Sequence, residues 1–375
     1  MMAALIRFSI RFPGVVIGFA LLILMYGAFQ IKQSPLNVFP EFSPTQVIIQ
    51  TESPGFSANL VETLVSKPIE NVISGTIGIK QIRSQSIPGL SVVTVIFDDD
   101  SDILMNRQLI SEKLSTLSSS LPSTIVPIIA PLTSSASSVL GIGLTSDTKN
   151  LSELRTIAET IIIPQLMSVP GVADVNRFGG LVKQFHVEID PKKLYQYQIT
   201  IKQILDAIKR SSSVQGAGFI ENNNQRIIIN AKGQTKTINE LSDAPVINLN
   251  NKTFRIKDVA HVKNGYAPSI SAVSINGVPG VYLSVQGQLG SDTYKLTQQL
   301  DDSLKSILPI LNKNNVKLFP DLFKPANFID ASISGLKFDI IIGAILVISI
   351  LYFFLYNLKT AFISAVAIPL SLMSA

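Results

Sequence analysis

The sequence predicts a membrane protein of the α+β class, with transmembrane helices flanking a large outward-facing region. Three observations predict it. Two uncharged apolar runs, Phe12 to Ile31 and Ile340 to Leu358, match the roughly 20 residues that a helix needs to cross a bilayer core. The polar stretch between them alternates strand-like and helix-like patterns. Those patterns then recur in the same order.

Arg7 and Arg11 precede the first run and Lys359 stands in the short turn after the second, so the positive-inside rule places both ends in the cytoplasm and the long loop outside. A cleaved signal peptide is the alternative for the first run. That run exceeds the roughly 7 to 15 apolar residues of a signal sequence, and no small-x-small site follows in Gln30 to Pro35. A third run, Thr360 to Ala375, is marginal for a span, and the chain ends inside it; the expectation is the N-terminal portion of a longer, truncated membrane protein. With 46% hydrophobic residues and a mean hydropathy of +0.37, the chain is more apolar than an ordinary soluble protein. A net charge of +5 spread along the loop, without a basic helix or interleaved aromatics, excludes nucleic acid as a partner. The absence of cysteine is permissive for an oxidising compartment.

In order along the loop, an alternating strand at Thr45 to Gln50 leads through Ser53-Pro54-Gly55 to a helix from Ala58 to Val72. Strands follow at Ile79 to Ser84 and Ser91 to Phe97, then a helix from Ile103 to Leu117 with Asp102 placed to cap it. This is a βαββαβ order. Its first half recurs as a strand at Val139 to Leu144, a helix at Leu151 to Leu166 and a strand at Val172 to Asn176, with Gly171 matching Gly78 at an offset of 93. The second half recurs at an offset of 191, where Pro279-Gly280 and Val281 to Gln286 match Pro88-Gly89 and its strand, and Ser291-Asp292 matches Ser101-Asp102. The growth in offset requires an insertion in the second copy, approximately Leu181 to Val278.

Within the insertion, Phe185, Val187 and Ile189 alternate with polar residues as a strand that ends at Asp190-Pro191, and Ile201, Ile204, Leu205 and Ile208 form a helix stripe. Ser211 to Phe219 is flexible in composition and precedes a strand at Arg226 to Asn230. It suits an arm reaching away from its own core, or an ordinary loop.

Several stretches then resemble one family. They are Pro35-Leu36-Asn37-Val38-Phe39-Pro40-Glu41-Phe42, Gln50-Thr51-Glu52-Ser53-Pro54-Gly55, Lys67-Pro68-Ile69-Glu70, Gly89 to Val95, Val169 to Asn176, Gly179-Gly180 and Val187 to Pro191. Together they resemble the resistance-nodulation-division (RND) efflux permeases, particularly the heavy-metal efflux branch, over essentially the whole chain. The resemblance implies ferredoxin-like porter subdomains in a periplasmic region, with an inserted docking subdomain. The implied divisions are 1–33 for the cytoplasmic N-terminal segment and first transmembrane helix, 34–133 for the first porter subdomain, and 134–180 with 279–330 for the second. Residues 181–278 form the docking insertion, 331–358 the second transmembrane helix and 359–375 the start of a truncated third.

The resemblance further implies a multi-pass permease of the bacterial inner membrane that exports metal cations from the periplasm or cytoplasm, driven by protons. The partners it implies are the lipid bilayer, two further copies in a homotrimer, a periplasmic adaptor (membrane fusion) protein and an outer-membrane channel. It assigns Val214, Gln215, Gly216, Ala217, Gly218, Phe219, Ile220 and Glu221 to an arm contacting the neighbouring protomer. Two departures stand out: position 37 is Asn where the family commonly has Asp, and the arm opens on a Ser triplet where heavy-metal members are often Asn-rich. A multidrug permease and a membrane-anchored assembly protein remain as alternatives.

The residues themselves offer little fixed chemistry. No charged residue or histidine lies within Phe12 to Ile31 or Ile340 to Leu358, so neither run carries a proton relay. His186 and Glu188 share a strand face, yet zinc or copper needs three or four convergent groups. His261 reads as structural, the acidic run Asp98 to Asp102 as a strand end and helix cap, and Met105 and Met167 as core. No metal site, cofactor or catalytic residue is assigned: the chain has no cysteine, no Gly-x-Ser-x-Gly and no phosphate-binding glycine loop, and it is not expected to be an enzyme.

Overall fold

The structure, a computed structural model, describes all residues except 1, 34–35, 38–41, 118–120, 123–124, 213–218, 223–224, 229–234, 250–251, 270, 356–361, 364–365, 368–369 and 372–375. A short helix α1 (Met2–Arg11) leads into α2 (Pro13–Gln33), the first apolar run. Pro13 sits at the first position of α2, where its missing N–H removes no helical bond that α2 itself needs.

The first folded unit contains β1 (Gln46–Glu52), α3 (Ala58–Val61), a π turn (Glu62–Ser66), α4 (Lys67–Ile73), β2 (Ile79–Ile87), β3 (Leu90–Phe97), α5 (Ile103–Leu117) and β4 (Ile128–Ile129). Its sheet runs β2-β3-β1-β4, with every neighbour antiparallel. Alternate residues of β3 are buried, as a sheet with one covered face requires. The core joins Val47, Ile49, Val93, Val95 and Phe97 of the sheet to Val61, Val65, Ile69 and Ile73, one residue in four along the broken helix, and to Ile110 of α5. Burying each such side chain contributes roughly 1.5–3 kcal/mol. Between β2 and β3, Gly89 takes φ +81° after Pro88, as a Pro-Gly turn demands.

The second unit is built from β5 (Thr133–Thr145), α6 (Leu151–Ile157), a π turn (Ala158–Ile162), α7 (Ile163–Met167) and β6 (Val172–Gly179), completed much later by two strands and a helix. What intervenes is the insertion. It comprises β7 (Lys183–Ile189), α8 (Pro191–Tyr197), α9 (Ile201–Ser212), β8 (Phe219–Asn222), β9 (Gln225–Ile228), α10 (Ile238–Ser242), β10 (Pro245–Leu249), β11 (Lys252–Arg255), α11 (Ile256–Val259), β12 (Ala260–Tyr266) and a small hairpin, β13 (Ser274–Ile275) with β14 (Val278–Pro279). The chain then returns as β15 (Val281–Gln288), α12 (Thr293–Lys313) and β16 (Lys317–Phe323).

The second sheet runs β16-β5-β15-β6, again antiparallel throughout. Equating β1, β2, β3 and β4 with β5, β6, β15 and β16 superposes the two strand orders. β6 and β15 pair directly, so the insertion stands where the first unit has only its Pro88-Gly89 turn. It has its own core of Ile204, Ala207, Leu241, Ile256, Val259 and others, beneath the β7–β12 ladder.

The repeat extends to a local irregularity. Each first helix expected to be continuous is interrupted by a π turn, closed by Lys67 N–H to the Glu62 carbonyl in one unit and by Ile163 N–H to the Ala158 carbonyl in the other. The next residue is proline both times, Pro68 and Pro164. A proline has no N–H and its ring crowds the carbonyl four residues back, so the wider turn relieves a clash that a regular helix would keep.

Two further expectations need correction. Met105 and Met167 are not core residues: they are 55% and 42% exposed. The buried stripe of α5 passes instead through Asn106, Ile110, Leu114 and Leu117, with the Asn106 amide donating to Ser101 Oγ at 2.8 Å. The last helix, α13 (Ala326–Leu355), begins at Ala326 rather than 331, inside the range expected to close the second unit. Its first turns carry Asp330, Lys337 and Asp339, which interrupt the apolar pattern without interrupting the helix. Among the described residues Ala326–Phe354 is the one helix long and apolar enough to cross a membrane; the apolar stretch Pro13–Gly27 of α2 is shorter. Most of the third apolar run lies outside the described residues.

Candidate functional site

Of the expected arm, Val214, Gln215, Gly216, Ala217 and Gly218 lie outside the described residues. Phe219, Ile220 and Glu221 belong to β8, which pairs antiparallel with β9 as a two-stranded ribbon that, among the described residues, joins no other sheet.

The acidic run does close a strand and open a helix. Asp102 Oδ1 accepts from Leu104 N at 2.8 Å, and Asp99 pairs with Lys80 at 3.5 Å on the exposed surface. This leaves the run engaged in local geometry.

The histidines are the surprise. In the β7–β12 register His261 faces Glu188 and Lys263 faces His186, so the chain's two histidines share one face of one ladder with a carboxylate and an ammonium. His261, which has no partner nearby in sequence, acquires one across the ladder. Lys263 Nζ lies 2.5 Å from Glu188 Oε1, and the His186 ring lies flat against Gly265, where any Cβ would overlap it. The hydrogen bond from Lys263 holds the Glu188 carboxyl below the usual carboxylate range, against a small opposing effect of burial and with minor help from the charges of Lys263, His261 and His186. A carboxylate depressed in the folded state stabilises it above the unfolded pKa, and that contribution disappears as pH falls through the lowered value. In Lys263→Met the Glu188 carboxyl is expected to titrate at higher pH than in the unaltered chain, read by carboxyl carbon chemical shifts; an unchanged titration would show that Lys263 is not the cause. Because an ammonium already occupies the Glu188 carboxylate, the face is a charge-paired surface. Among the described residues no group of three or more His, Cys, Asp or Glu is arranged to hold a metal ion.

A polar cleft of about 520 Å³ lies between the start of α6 and the β7–β12 ladder, lined by Lys149, Asn150, Glu153, Lys183, Asn264 and Tyr266 among others. Its carboxylate is committed: Glu153 Oε2 accepts from Asn150 N at 3.0 Å while Asn150 Oδ1 accepts from Ser152 N and Glu153 N, a capping box. What the geometry does supply is a pair of like-folded units. The insertion leaves the second unit at Gly179-Gly180, where both residues have positive φ and Arg155 donates to the Gly179 carbonyl at 2.9 Å.

The profile of the AcrB/AcrD/AcrF family matches residues 5–375. The chain belongs to that family of RND permeases. It is 32% identical over 380 residues to protein HelA of Legionella pneumophila, covering 100% of this chain and 36% of that relative. Against the cobalt-zinc-cadmium resistance protein CzcA of Cupriavidus metallidurans the identity is 30% over 356 residues, covering 92% of this chain and 33% of the relative. A crystal structure of a heavy metal efflux pump superposes with a TM-score of 0.85 at 27% identity, covering 98% of this chain and 37% of that one. The chain thus spans about a third of the length of these relatives. The resemblance to the heavy-metal branch is borne out by these matches, and the family is one of membrane transporters rather than enzymes.

Proposed function

We propose that this RND family member forms part of the path by which a proton-driven permease of the bacterial inner membrane exports metal cations from the periplasm or cytoplasm. The observation that carries the reading is the duplicated fold, two units of one strand order bracketed in sequence by apolar helices. On this reading both units are ferredoxin-like porter subdomains facing the periplasm, and a cation passes between them as they change their relative position. Residues 181–278 are a docking subdomain, and Val214 to Glu221 reach a neighbouring copy in a homotrimer that works with a periplasmic adaptor and an outer-membrane channel. Support comes from relatives whose names specify cobalt, zinc and cadmium resistance or cation efflux.

Export from cells expressing the full-length permease that contains these residues tests the proposal. Cells loaded with zinc, cobalt or copper are expected to lose metal faster than control cells while retaining an amphiphilic dye. Dye loss without metal loss would replace the cation reading with a multidrug one. Loss of neither, with the protein present in membranes, would favour an assembly role.

A further inference from the structure

The first turn of α12 is capped from outside its own unit. A helix leaves its first N–H groups without partners inside it. In α12 the N-cap Asp292 satisfies one of them, accepting from Lys295 N at 2.9 Å. Thr293 N instead donates to Asn37 Oδ1 at 3.0 Å, and the Thr293 hydroxyl donates to the same oxygen at 2.8 Å. Tyr294 N donates to the Leu36 carbonyl at 3.3 Å. Leu36 and Asn37 lie in the segment that leaves α2, so a piece of chain next to one apolar helix completes the end of a helix more than 250 residues later.

The same turn reaches the other apolar helix. The Tyr294 hydroxyl donates to Asp330 Oδ1 on α13 at 2.8 Å. About two turns along α12, Asp301 pairs with Lys324, just ahead of α13, at 2.6 Å. Those two side chains are 25% and 21% exposed, more covered than a surface pair that water and salt would weaken. From there α12 carries Leu296, Leu300, Leu304, Ile307 and Leu311 into the core of the second unit. A displacement of its first turn is therefore transmitted to the sheet through packed side chains.

We propose that this turn is a junction in which Asn37, Thr293 and Tyr294 act as positioning residues, binding the exit of α2 and the start of α13 to the second unit so that the three move as one body. The acceptors match the chemistry of a helix N-terminus, whose backbone donors and partial positive charge favour carbonyl and amide oxygens. The efflux reading predicts that the units move; the junction specifies which membrane-proximal segments move with one of them, and rests on that reading only for its transport test.

Hydrogen exchange on the full chain in lipid nanodiscs tests the junction directly. Asn37→Leu is expected to raise exchange at the Thr293 and Tyr294 amides about fivefold, the effect of losing one capping acceptor, and to raise it also at Ile329 and Asp330 of α13. Tyr294→Phe is expected to loosen both the start of α13 and the Thr293 amide. Asn37→Asp keeps the acceptor and adds a charge favoured at a helix N-terminus, so it should leave every one of these amides protected. Unchanged exchange in β5 and β15, the sheet on which α12 packs, certifies that the second unit of each variant is folded. A rise confined to α12 would mean a local cap and would overturn the junction, as would no rise in either helix.

The transport test uses a disulfide between Asn37→Cys and Thr293→Cys in the full-length permease, with any cysteine outside residues 1–375 replaced; residues 1–375 contain none. The oxidised protein is expected to export as fast as the reduced one, because a junction that moves as one body is not hindered by a bond across it. Export lost on oxidation and restored by reductant would overturn the proposal. If neither form exports any cation, the efflux reading fails, and the exchange result still decides the junction.

Discussion

Replacing Gly280 with valine is expected to destabilise the second unit by about 3 kcal/mol, at the upper end of what overpacking costs. Gly280 stands immediately before β15, where the insertion returns to the sheet. A Cβ there would overlap the Leu144 carbonyl oxygen and come within 3.1 Å of Ile275 Cδ1 and 3.2 Å of Thr145 Cγ2. A flexible side chain could swing aside, but Leu144 belongs to β5 and pairs with Val281, so its carbonyl can retreat only by opening the β5–β15 ladder. The other side is equally closed. Val281 also pairs with Gly179, and a Cβ on Gly179 would lie 2.7 Å from the Gly280 carbonyl oxygen. Gly277→Ala is the control: its φ of +81° is unfavourable for alanine but no described residue lies within 4 Å of a Cβ, so the cost should stay at about 1 kcal/mol. Denaturant midpoints, with exchange read in β5 and β15, make the comparison. A Gly280→Val midpoint equal to that of Gly277→Ala would show that the crowding relaxes at no cost.

Phe97→Ala is expected to cost about 3–5 kcal/mol, the range for removing a buried phenylalanine, and so most of the stability of a marginal unit. Phe97 is fully buried at the end of β3, and its N–H donates to the Thr45 carbonyl at 2.8 Å. The loss should be confined to the first unit, since among the described residues its core cluster shares no member with the clusters of the second unit and the insertion. Exchange protection in β1 and β3 would fall while that in β5 and β15 persists; simultaneous loss in all four strands would show that the units unfold together. Ile77→Ala, at a position 89% exposed, should leave the midpoint where it is.

Where the pattern is local, sequence and structure agree closely. The helix expected over Ile103 to Leu117 spans those residues, and the strands expected to start at Val172 and Val281 do so. The insertion was legible because a repeat keeps its order even when something is placed inside it. The π turns also left a signal, Pro68 and Pro164 inside helical patterns, but a proline alone does not say whether a helix breaks, kinks or widens. Asn106 defeated the assignment of the buried face of α5 because a hydrogen-bonded amide can occupy a core position that apolar periodicity would give to Met105. The start of α13 was missed because Asp330, Lys337 and Asp339 shorten the apolar run, not the helix.

The sequence by itself determined the apolar helices, the repeated unit, the place of its insertion and the family resemblance, because each is written in residues near one another or in an order that repeats. Only the tertiary structure decided that His261 faces Glu188, that β8 and β9 form a separate ribbon, and that Asn37 and Asp330 converge on the first turn of α12. These contacts join residues that local periodicity cannot relate. They are set by strand register and by which orphan donors a folded helix end leaves for distant oxygens to satisfy.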